Sequence, residues 1–319
     1  MPDSSLTVVG SASSVVSAAL TEKVADYLRL GLEGSANTRR AYAADLRDFR
    51  QWCSASGAVD LPASPATIAA YAAFMADTCK WATLTRRLAA ISKLHQLHGL
   101  DTPTTDRQVR VVLEGIKRSI GIRQKQAPAF TLTKLKTLVR SLETETATGL
   151  RNKSLLLLGF TGAFRRSELV SLSLEDLTFT DEGLIVSLGK SKTNQYGDHE
   201  EKAIYYSPEA ALCPIRTLKA WTERLGRERG PLFVRIRKGD RLSFERLSDQ
   251  WVDKLVKQVF GTSYSAHSLR ASFVTVAKLN GADDSEVMRQ TKHKTPLMIQ
   301  RYTRLENIRQ HNAAMKLGL

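Results

Sequence analysis

Two arginines in the C-terminal half of the chain have possible partners at a helical spacing. Arg165 lies three residues before Glu168 in TGAFRRSELVSL, so the carboxylate can lie on the same helical face and hold the guanidinium. His267 lies three residues before Arg270 in AHSLRASFVTVA, so both side chains project from one side of a helix start. Arginine keeps its charge and presents a fixed fork of donors, which suits phosphate. Taken alone, each pair is equally compatible with an ordinary surface contact.

Cleaving a phosphodiester without a metal requires further side chains. A nucleophile must attack in line, cations must hold the charge on the non-bridging oxygens, and an acid must protonate the leaving oxygen. The segment QTKHKTPLMIQRYTR supplies His293 and, nine residues later, Tyr302. A free tyrosine has a pKa of about 10, so neighbouring cations are needed to favour its phenolate. The segment LGKSKT supplies two candidate acids, Lys190 and Lys192.

In this order and at this spacing, these segments resemble the active-site signature of the tyrosine recombinases, the phage integrase family, of the Cre and Xer type. The resemblance covers about residues 131 to 303, and LGKSKT followed at a distance by EKA is similar to the corresponding hairpin of Cre recombinase. It implies a site-specific recombinase that cleaves and rejoins DNA through a 3′-phosphotyrosine intermediate. Integration, excision and resolution all remain open as its biological outcome.

The resemblance implies that Arg165, Arg270 and His293 bind and neutralise the scissile phosphate, and that Glu168 supports the first arginine. The family commonly has glycine directly before the second histidine, where this chain has Lys292. Lysine lacks the conformational freedom of glycine, so the local geometry is an open point, although the added positive charge suits a phosphate site.

The resemblance assigns attack and proton transfer to three more residues. Tyr302 would be the nucleophile, Lys192 would protonate the departing 5′ oxygen, and His267 would assist proton transfer. Lys190 is a neighbouring alternative to Lys192, and the alignment of GKSKT favours Lys192.

The implied chemistry needs neither a metal nor ATP, because exchanging a phosphodiester for a phosphotyrosine ester conserves bond energy. The sequence contains no GxxxxGK[ST] loop and no carboxylate cluster typical of a metal site, so we expect no cofactor and no metal. Two other classes remain open. A type IB topoisomerase-like enzyme would share the chemistry but relax DNA without pairing sites, and a catalytically inactive DNA-binding regulator would lack part of the constellation.

The charge of the chain predicts the partner. Lys and Arg number 47 against 32 Asp and Glu, which gives a net charge of +15 and an isoelectric point near 9.8. Such an excess is typical of proteins that bind nucleic acid. Between Lys80 and Gln126 there are ten basic and three acidic residues, a net of +7, which predicts a DNA-facing surface. We expect double-stranded DNA with specific recombination sites as partner and, by family analogy, a homotetramer on two sites.

The remaining composition indicates a protein of the reducing interior of the cell. No apolar run approaches the roughly 20 residues of a membrane helix, and the N-terminus lacks the basic start of a secretory signal. The three cysteines are far apart and form no CxxC pair, so neither disulfides nor a zinc site are indicated. We therefore expect a cytoplasmic, nucleoid-associated protein with no membrane partner.

The apolar periodicity predicts a mainly α fold in two domains. We expect a flexible tail over residues 1–20, a helical domain over 21–121, a linker over 122–130 and a mostly helical, mixed α/β domain over 131–319. The family resemblance implies that the first is a core-binding (SAM-like) domain and the second the catalytic domain. In the first domain, Ser64 and Pro65 mark a helix start, and Leu84 to Leu97 form an apolar stripe. In the second, the β-rich runs 184–188 and 203–206 predict a small antiparallel sheet.

Overall fold

The computed structural model describes Lys23 and residues 36–122, 126–189, 200–293 and 295–299. Backbone contacts divide the chain into two compact units between Lys125 and Gln126. Both units are mainly helical, and the strands form small antiparallel sheets, as the sequence predicts. Within the described ranges, none of the helices combines the length and apolarity needed to cross a membrane.

Over residues 36–122, the first unit shows four helices and a short 3-10 turn. In chain order they are α1 Ala36–Ser56, α2 Pro65–Ala76, α3 Trp81–Leu97, the 3-10 turn Pro103–Thr105 and α4 Arg107–Ile120. The Ser64 hydroxyl accepts a hydrogen bond from the Thr67 amide at 3.1 Å, which confirms the predicted start of α2. The predicted stripe on α3 is buried as far as Leu94, but Leu97 is 45% exposed at the end of the helix, so its inclusion was wrong.

The second unit alternates helices with short strands. In the described ranges its α-helices and strands are α5 Leu132–Arg140, α6 Ala147–Thr161, α7 Arg166–Ser171, β1 Leu177–Phe179, β2 Gly183–Leu188, β3 Glu200–Tyr205, α8 Pro214–Leu225, β4 Val234–Arg237, β5 Arg241–Arg246, α9 Asp249–Phe260, α10 Ala266–Leu279 and α11 Asp284–Thr291. Helix α6 runs through the core, where ten of its residues are buried. Phe130 is also buried in this core and donates its amide to the Ser272 hydroxyl at 2.7 Å.

The predicted antiparallel pairing is confirmed between β2 and β3, in the register Gly183↔Tyr205 to Leu188↔Glu200, and β1 adds a third strand. A second hairpin, β4 with β5, was not predicted from the sequence, which favoured helix after residue 208. Its turn contributes Asp240, whose carboxylate accepts from the Ala147 and Thr148 amides at the start of α6. The hairpin therefore fixes the N-terminal end of the helix whose other end leads into the candidate site.

Candidate active site

Arg165 lies at the junction between the end of α6 and the start of α7. It is the N-cap residue of α7, and Glu168 is the third residue of that helix. Glu168 accepts the Arg165 amide on Oε2 at 3.0 Å, and its Oε1 forms a short ion pair with the Arg165 guanidinium. The predicted partnership is therefore present. Its geometry is that of a helix cap, because the carboxylate turns back to the first turn, where unpaired amides favour negative charge.

Glu168 is nearly buried, with 5% of its side chain exposed, yet it is held as a carboxylate. Desolvation by burial raises its pKa, but the Arg165 amide and the charges of Arg165 and Lys202 outweigh this effect. The net result is a pKa below the ordinary value of a glutamic acid. The Arg165 side chain is 19% exposed, so its guanidinium is held by Glu168 and is still accessible from the surface.

The loop before Arg165 ends α6 in a Schellman arrangement. The Ala163 amide donates to the Phe160 carbonyl at 3.0 Å, and the Phe164 amide donates to the Gly159 carbonyl at 3.2 Å. Ala163 has a φ of 47°, in the left-handed region that glycine occupies at lower cost. The loop therefore has a defined shape that alanine adopts only because the surrounding contacts hold it.

Helix α10 brings His267 and Arg270 to this loop. Arg270 is 1% exposed, and its Nη1 donates to the carbonyl of Ala163 at 2.9 Å. His267, the second residue of α10, is open to solvent on one side. Its pKa is lowered, first by desolvation on its protein-facing side and then by the charges of Arg270 and Arg165. The two arginines of the sequence motifs therefore act on the same histidine.

His293 follows the C-terminus of α11 and is 7% exposed. Its Nδ1 lies 3.0 Å from the Thr291 hydroxyl, and that hydroxyl donates to the Val287 carbonyl at 2.6 Å. Because the hydroxyl hydrogen is used in this way, Nδ1 carries the proton and Nε2 carries the lone pair. Burial first, and then the charge of Arg270 and its neighbours, lowers the pKa of His293 to about 3. In the absence of DNA this imidazole is therefore neutral at pH 7.

Lys292 occupies the position where the family commonly has glycine. It caps α11 with φ 54° and ψ 41°, so lysine takes up the left-handed conformation directly. The Lys292 amide donates to the Met288 carbonyl at 2.7 Å, which closes the helix. The substitution therefore retains the glycine-type backbone and adds a cation next to His293.

A buried lysine that the sequence reading gave no role completes the group. Lys202 on β3 is 1% exposed, and its Nζ donates to the carbonyl of Gly162 at 2.6 Å. Burial, followed by the opposing effects of Glu168 (raising) and Arg270 (lowering), brings its pKa down to about 7. A signal for it was available, because Lys202 and the core residue Ile204 share one face of a strand with a period of two.

The structure therefore assembles most of the predicted site. We call the following six residues the candidate-site cluster: Arg165, Glu168, Lys202, His267, Arg270 and His293. Lys190, Lys192 and Tyr302 lie outside the described residues. Across the part of the chain that the structure describes, no group of three or more His, Cys, Asp or Glu side chains could hold a metal ion. What the cluster can do chemically is bind an anion with fixed guanidinium donors.

This arrangement defines an anion-binding site of the kind that phosphoryl-transfer enzymes use, and comparison with known proteins identifies the family. The profile described as "Phage integrase family" matches residues 129–309, and the one described as "Phage integrase, N-terminal SAM-like domain" matches residues 24–98. The chain belongs to the phage integrase family and is a tyrosine recombinase.

Relatives of known name extend over nearly the whole chain. An "Integrase/recombinase xerD homolog" of Selenomonas ruminantium is 40% identical over 298 residues, covering 91% of this chain and 87% of that protein. "Tyrosine recombinase XerD" of Neisseria meningitidis serogroup B is 27% identical, covering 91% of this chain and 94% of that protein. The family resemblance read from the motifs is confirmed.

Solved structures share the fold. The recombinase XerH bound to a palindromic difH substrate has a TM-score of 0.65 at 19% identity, covering 93% of this chain and 84% of that chain. The λ integrase tetramer bound to a Holliday junction has a TM-score of 0.60 at 16% identity, covering 88% of this chain and 75% of that chain. Both comparisons show that this chain shares the fold of these proteins.

Proposed function

We propose that this chain recombines double-stranded DNA at specific sites by forming a 3′-phosphotyrosine bond through Tyr302. The observation that carries the proposal is the convergence of Arg165, Arg270, His267 and His293 around the loop that ends α6. A scissile phosphate placed there would meet two guanidinium groups whose orientations are already fixed by Glu168 and the Ala163 carbonyl.

In the proposed reaction, the Tyr302 oxygen attacks the phosphorus and the bond to the 5′ oxygen of the next nucleotide breaks. Arg165 and Arg270 hold the charge on the non-bridging oxygens, and Lys192 gives a proton to the departing 5′ oxygen. The reverse reaction, with a 5′ hydroxyl from another strand as nucleophile, rejoins the backbone. No net phosphodiester bond is lost, so the proposed cycle is isoenergetic.

The tautomer of His293 suggests how the tyrosine loses its proton. The lone pair on Nε2 can accept the Tyr302 proton, and the resulting imidazolium can donate to a phosphate oxygen. In the absence of DNA, burial and nearby cations oppose this protonation. The negative charge of a bound phosphate offsets the contribution of the cations, so the proton transfer is coupled to DNA binding. We propose His293 in this role, alongside phosphate binding.

The domain boundaries and the partners belong to the same proposal. We propose that residues 21–121 form a core-binding domain, that 122–130 link it to the catalytic domain over 131–319, and that four protomers act on two DNA sites. The two compact units and the SAM-like match over residues 24–98 support the division. A soluble protein associated with the nucleoid is consistent with the basic charge of +15.

The test is covalent capture on DNA. Nicked duplexes tiled across the DNA that flanks the gene are incubated with the full-length protein, and adducts are resolved on denaturing gels. Wild type and Tyr205→Phe, a change at a tyrosine that is 69% exposed on β3, should form the adduct. Tyr302→Phe should bind the same duplex without forming it. An adduct that persists with Tyr302→Phe would reject Tyr302 as the nucleophile.

A further inference from the structure

Three consecutive carbonyls at the end of α6 each accept a hydrogen bond from a different element. We call Thr161, Gly162 and Ala163 the carbonyl turn. Gln290 on α11 donates to the Thr161 carbonyl at 3.1 Å, and Lys202 on β3 donates to the Gly162 carbonyl at 2.6 Å. Arg270 on α10 donates to the Ala163 carbonyl at 2.9 Å. The carbonyl turn is therefore hydrogen-bonded to β3, α10 and α11.

Lys202 has the most connections in this arrangement. Its Nζ also lies 3.4 Å from the Ala163 carbonyl, so Lys202 and Arg270 share one acceptor. The ammonium sits over the ring of Phe164, 4.6 Å from the centroid. Next to it on β3, the Ala203 carbonyl accepts a second hydrogen bond from Gln290 at 3.1 Å. The strand and the carbonyl turn are thus bound to each other directly and also through α11.

Burying the Lys202 ammonium costs free energy, because the charge loses its hydration. Lysine is rarely fully buried, and the inward face of a strand normally carries an apolar residue such as Ile204 two positions later. The carbonyl turn contains the left-handed Ala163 and leads within two residues to Arg165. A small shift of this turn would move the guanidinium of Arg165 and remove the acceptor that orients Arg270.

We propose that Lys202 is a positioning residue for DNA cleavage, which fixes the carbonyl turn so that Arg165 and Arg270 converge on one phosphate. This inference rests on the proposed function and extends it to a residue outside the motifs. Lys202 does not contact the reacting atoms in this proposal. It acts through the Gly162 and Ala163 carbonyls.

The charge of Lys202 gives the proposal a pH signature. The charged groups that act on it are Glu168 at the start of α7, which favours the ammonium, and Arg270 of α10, Arg165 before α7 and Lys292 after α11, which oppose it. Burial is the largest effect, and together these set its pKa to about 7. Below this pH the ammonium is present, and above it the side chain becomes a neutral amine that holds the carbonyls less strongly.

The pH test compares wild type with Lys202→Arg, which have the same histidines. The pKa of His293 is about 3, and burial and the charges of Arg270 and Arg165 lower that of His267 as well. At limiting protein concentration the rate of cleavage reports the titration of the DNA-free protein. Since Lys192, the proposed acid, and Tyr302 are the same in wild type and in Lys202→Arg, a fall in the cleavage rate from pH 7 to 9 that wild type shows and Lys202→Arg lacks comes from Lys202.

The experiment compares Lys202→Met, Lys202→Arg and Lys153→Met in the full-length protein on the nicked duplex that wild type cleaves. Lys153 is a second buried lysine of this unit, 7% exposed on α6, and serves as the matched control. The measurements are the single-turnover cleavage rate, the affinity for the duplex, and thermal unfolding, each across pH 6 to 9.

Lys202→Met is expected to fold and bind DNA as wild type does but to cleave slower by on the order of 10²-fold, as for a misplaced catalytic geometry. Lys202→Arg should recover most of the rate and lose the fall between pH 7 and 9, because arginine stays charged. Lys153→Met should cleave like wild type.

Three results would overturn the proposal. The first is a folded Lys202→Met that cleaves at the wild-type rate. The second is a Lys202→Met whose cleavage and DNA affinity fall only in proportion to its unfolded fraction. The third, decisive even where Lys202→Met does not fold, is a Lys202→Arg pH profile identical to that of wild type. Failure of wild type itself to form an adduct on any duplex would instead count against the proposed function.

Discussion

Each unit of the protein contains a cluster of arginines, and the two clusters are satisfied in different ways. In the first unit, the nearly buried Asp45 accepts two hydrogen bonds from Arg86, at 2.9 and 2.8 Å, and lies 3.8 Å from Arg87. Asp48 forms a short ion pair with Arg87 and accepts from the hydroxyl of Tyr71 at 3.3 Å. We call these five residues the Asp45 cluster. Two carboxylates match two guanidinium groups within it.

The candidate-site cluster of the second unit contains one carboxylate, Glu168. Its hydrogen bonds go largely to backbone carbonyls, as with Arg270 on Ala163 and Lys202 on Gly162. A carbonyl orients a cation without cancelling its charge. Burial is the main cause of the lowered pKa of both histidines and of Lys202, and the charge of Arg270 lowers each of them further.

The contrast separates arginines that pair with carboxylates from arginines that we propose bind a phosphate. The ion pairs of the Asp45 cluster connect α1 to α3, whereas the Arg270 guanidinium is oriented by a backbone carbonyl, which leaves its positive charge available to an anion. Counting charges along the sequence did not reveal this difference. The net of +7 between Lys80 and Gln126 included Arg86 and Arg87, but the carboxylates that pair with them come from α1, outside that window.

Among the variants that test this comparison, removal of the Arg270 side chain should have the largest effect. We expect Arg270→Ala to slow single-turnover DNA cleavage by about 10²-fold or more, because a fixed donor for the developing charge is lost. The matched control is Arg151→Met, since Arg151 is 2% exposed and donates to a backbone carbonyl, that of Val234, at 3.0 Å. Arg151→Met should lower the melting temperature while folded protein keeps its cleavage rate. Equal cleavage rates for Arg270→Ala and Arg151→Met would contradict the proposed role of Arg270 in phosphate binding.

Substitutions in the Asp45 cluster should change the stability of the protein and leave its cleavage rate unchanged. Asp45→Ala leaves Arg87 without a carboxylate partner on one side, and we expect the free energy of unfolding to fall by about 2–3 kcal/mol. The estimate is at the low end because Arg86 is 49% exposed. The control Asp60→Ala breaks an exposed ion pair with Arg50 and should cost less than about 0.5 kcal/mol. Chemical denaturation measures both. A cleavage rate that falls at saturating protein, with stability unchanged, would contradict a purely structural role.

The smallest expected effect concerns the lysine that stands before His293. Lys292→Gly removes a side chain from a left-handed residue, and we expect the free energy of unfolding to rise by about 1 kcal/mol. Lys254→Gly, in the middle of α9, should instead lower it by about 1 kcal/mol, since glycine is unfavourable inside a helix. Thermal unfolding of both variants distinguishes the backbone effect from loss of a lysine. Destabilisation by Lys292→Gly would show that its side chain contributes more than its conformation costs.

The sequence predicted the elements whose signals are local. The cap at Ser64, the two β-rich runs that form β2 and β3, and the helix start that carries His267 and Arg270 each depend on a pattern within a few residues. The hairpin of β4 and β5 was missed, although RIRKGDRLSF places Gly239 and Asp240 at a turn between alternating residues. Its strands are short and charged, so the pattern resembles an exposed helix as closely as a strand.

The sequence by itself determined the family and the residue types of the site, because the order of Arg165, Arg270, His293 and Tyr302 is a linear property. The tertiary structure decided which charges pair with carboxylates and which are oriented by backbone carbonyls. That Lys202 binds the carbonyl turn 39 and 40 residues away, and that α1 neutralises arginines of α3, depends on contacts between distant segments. Burial and electrostatic balance arise only when such segments pack, so no local pattern encodes them.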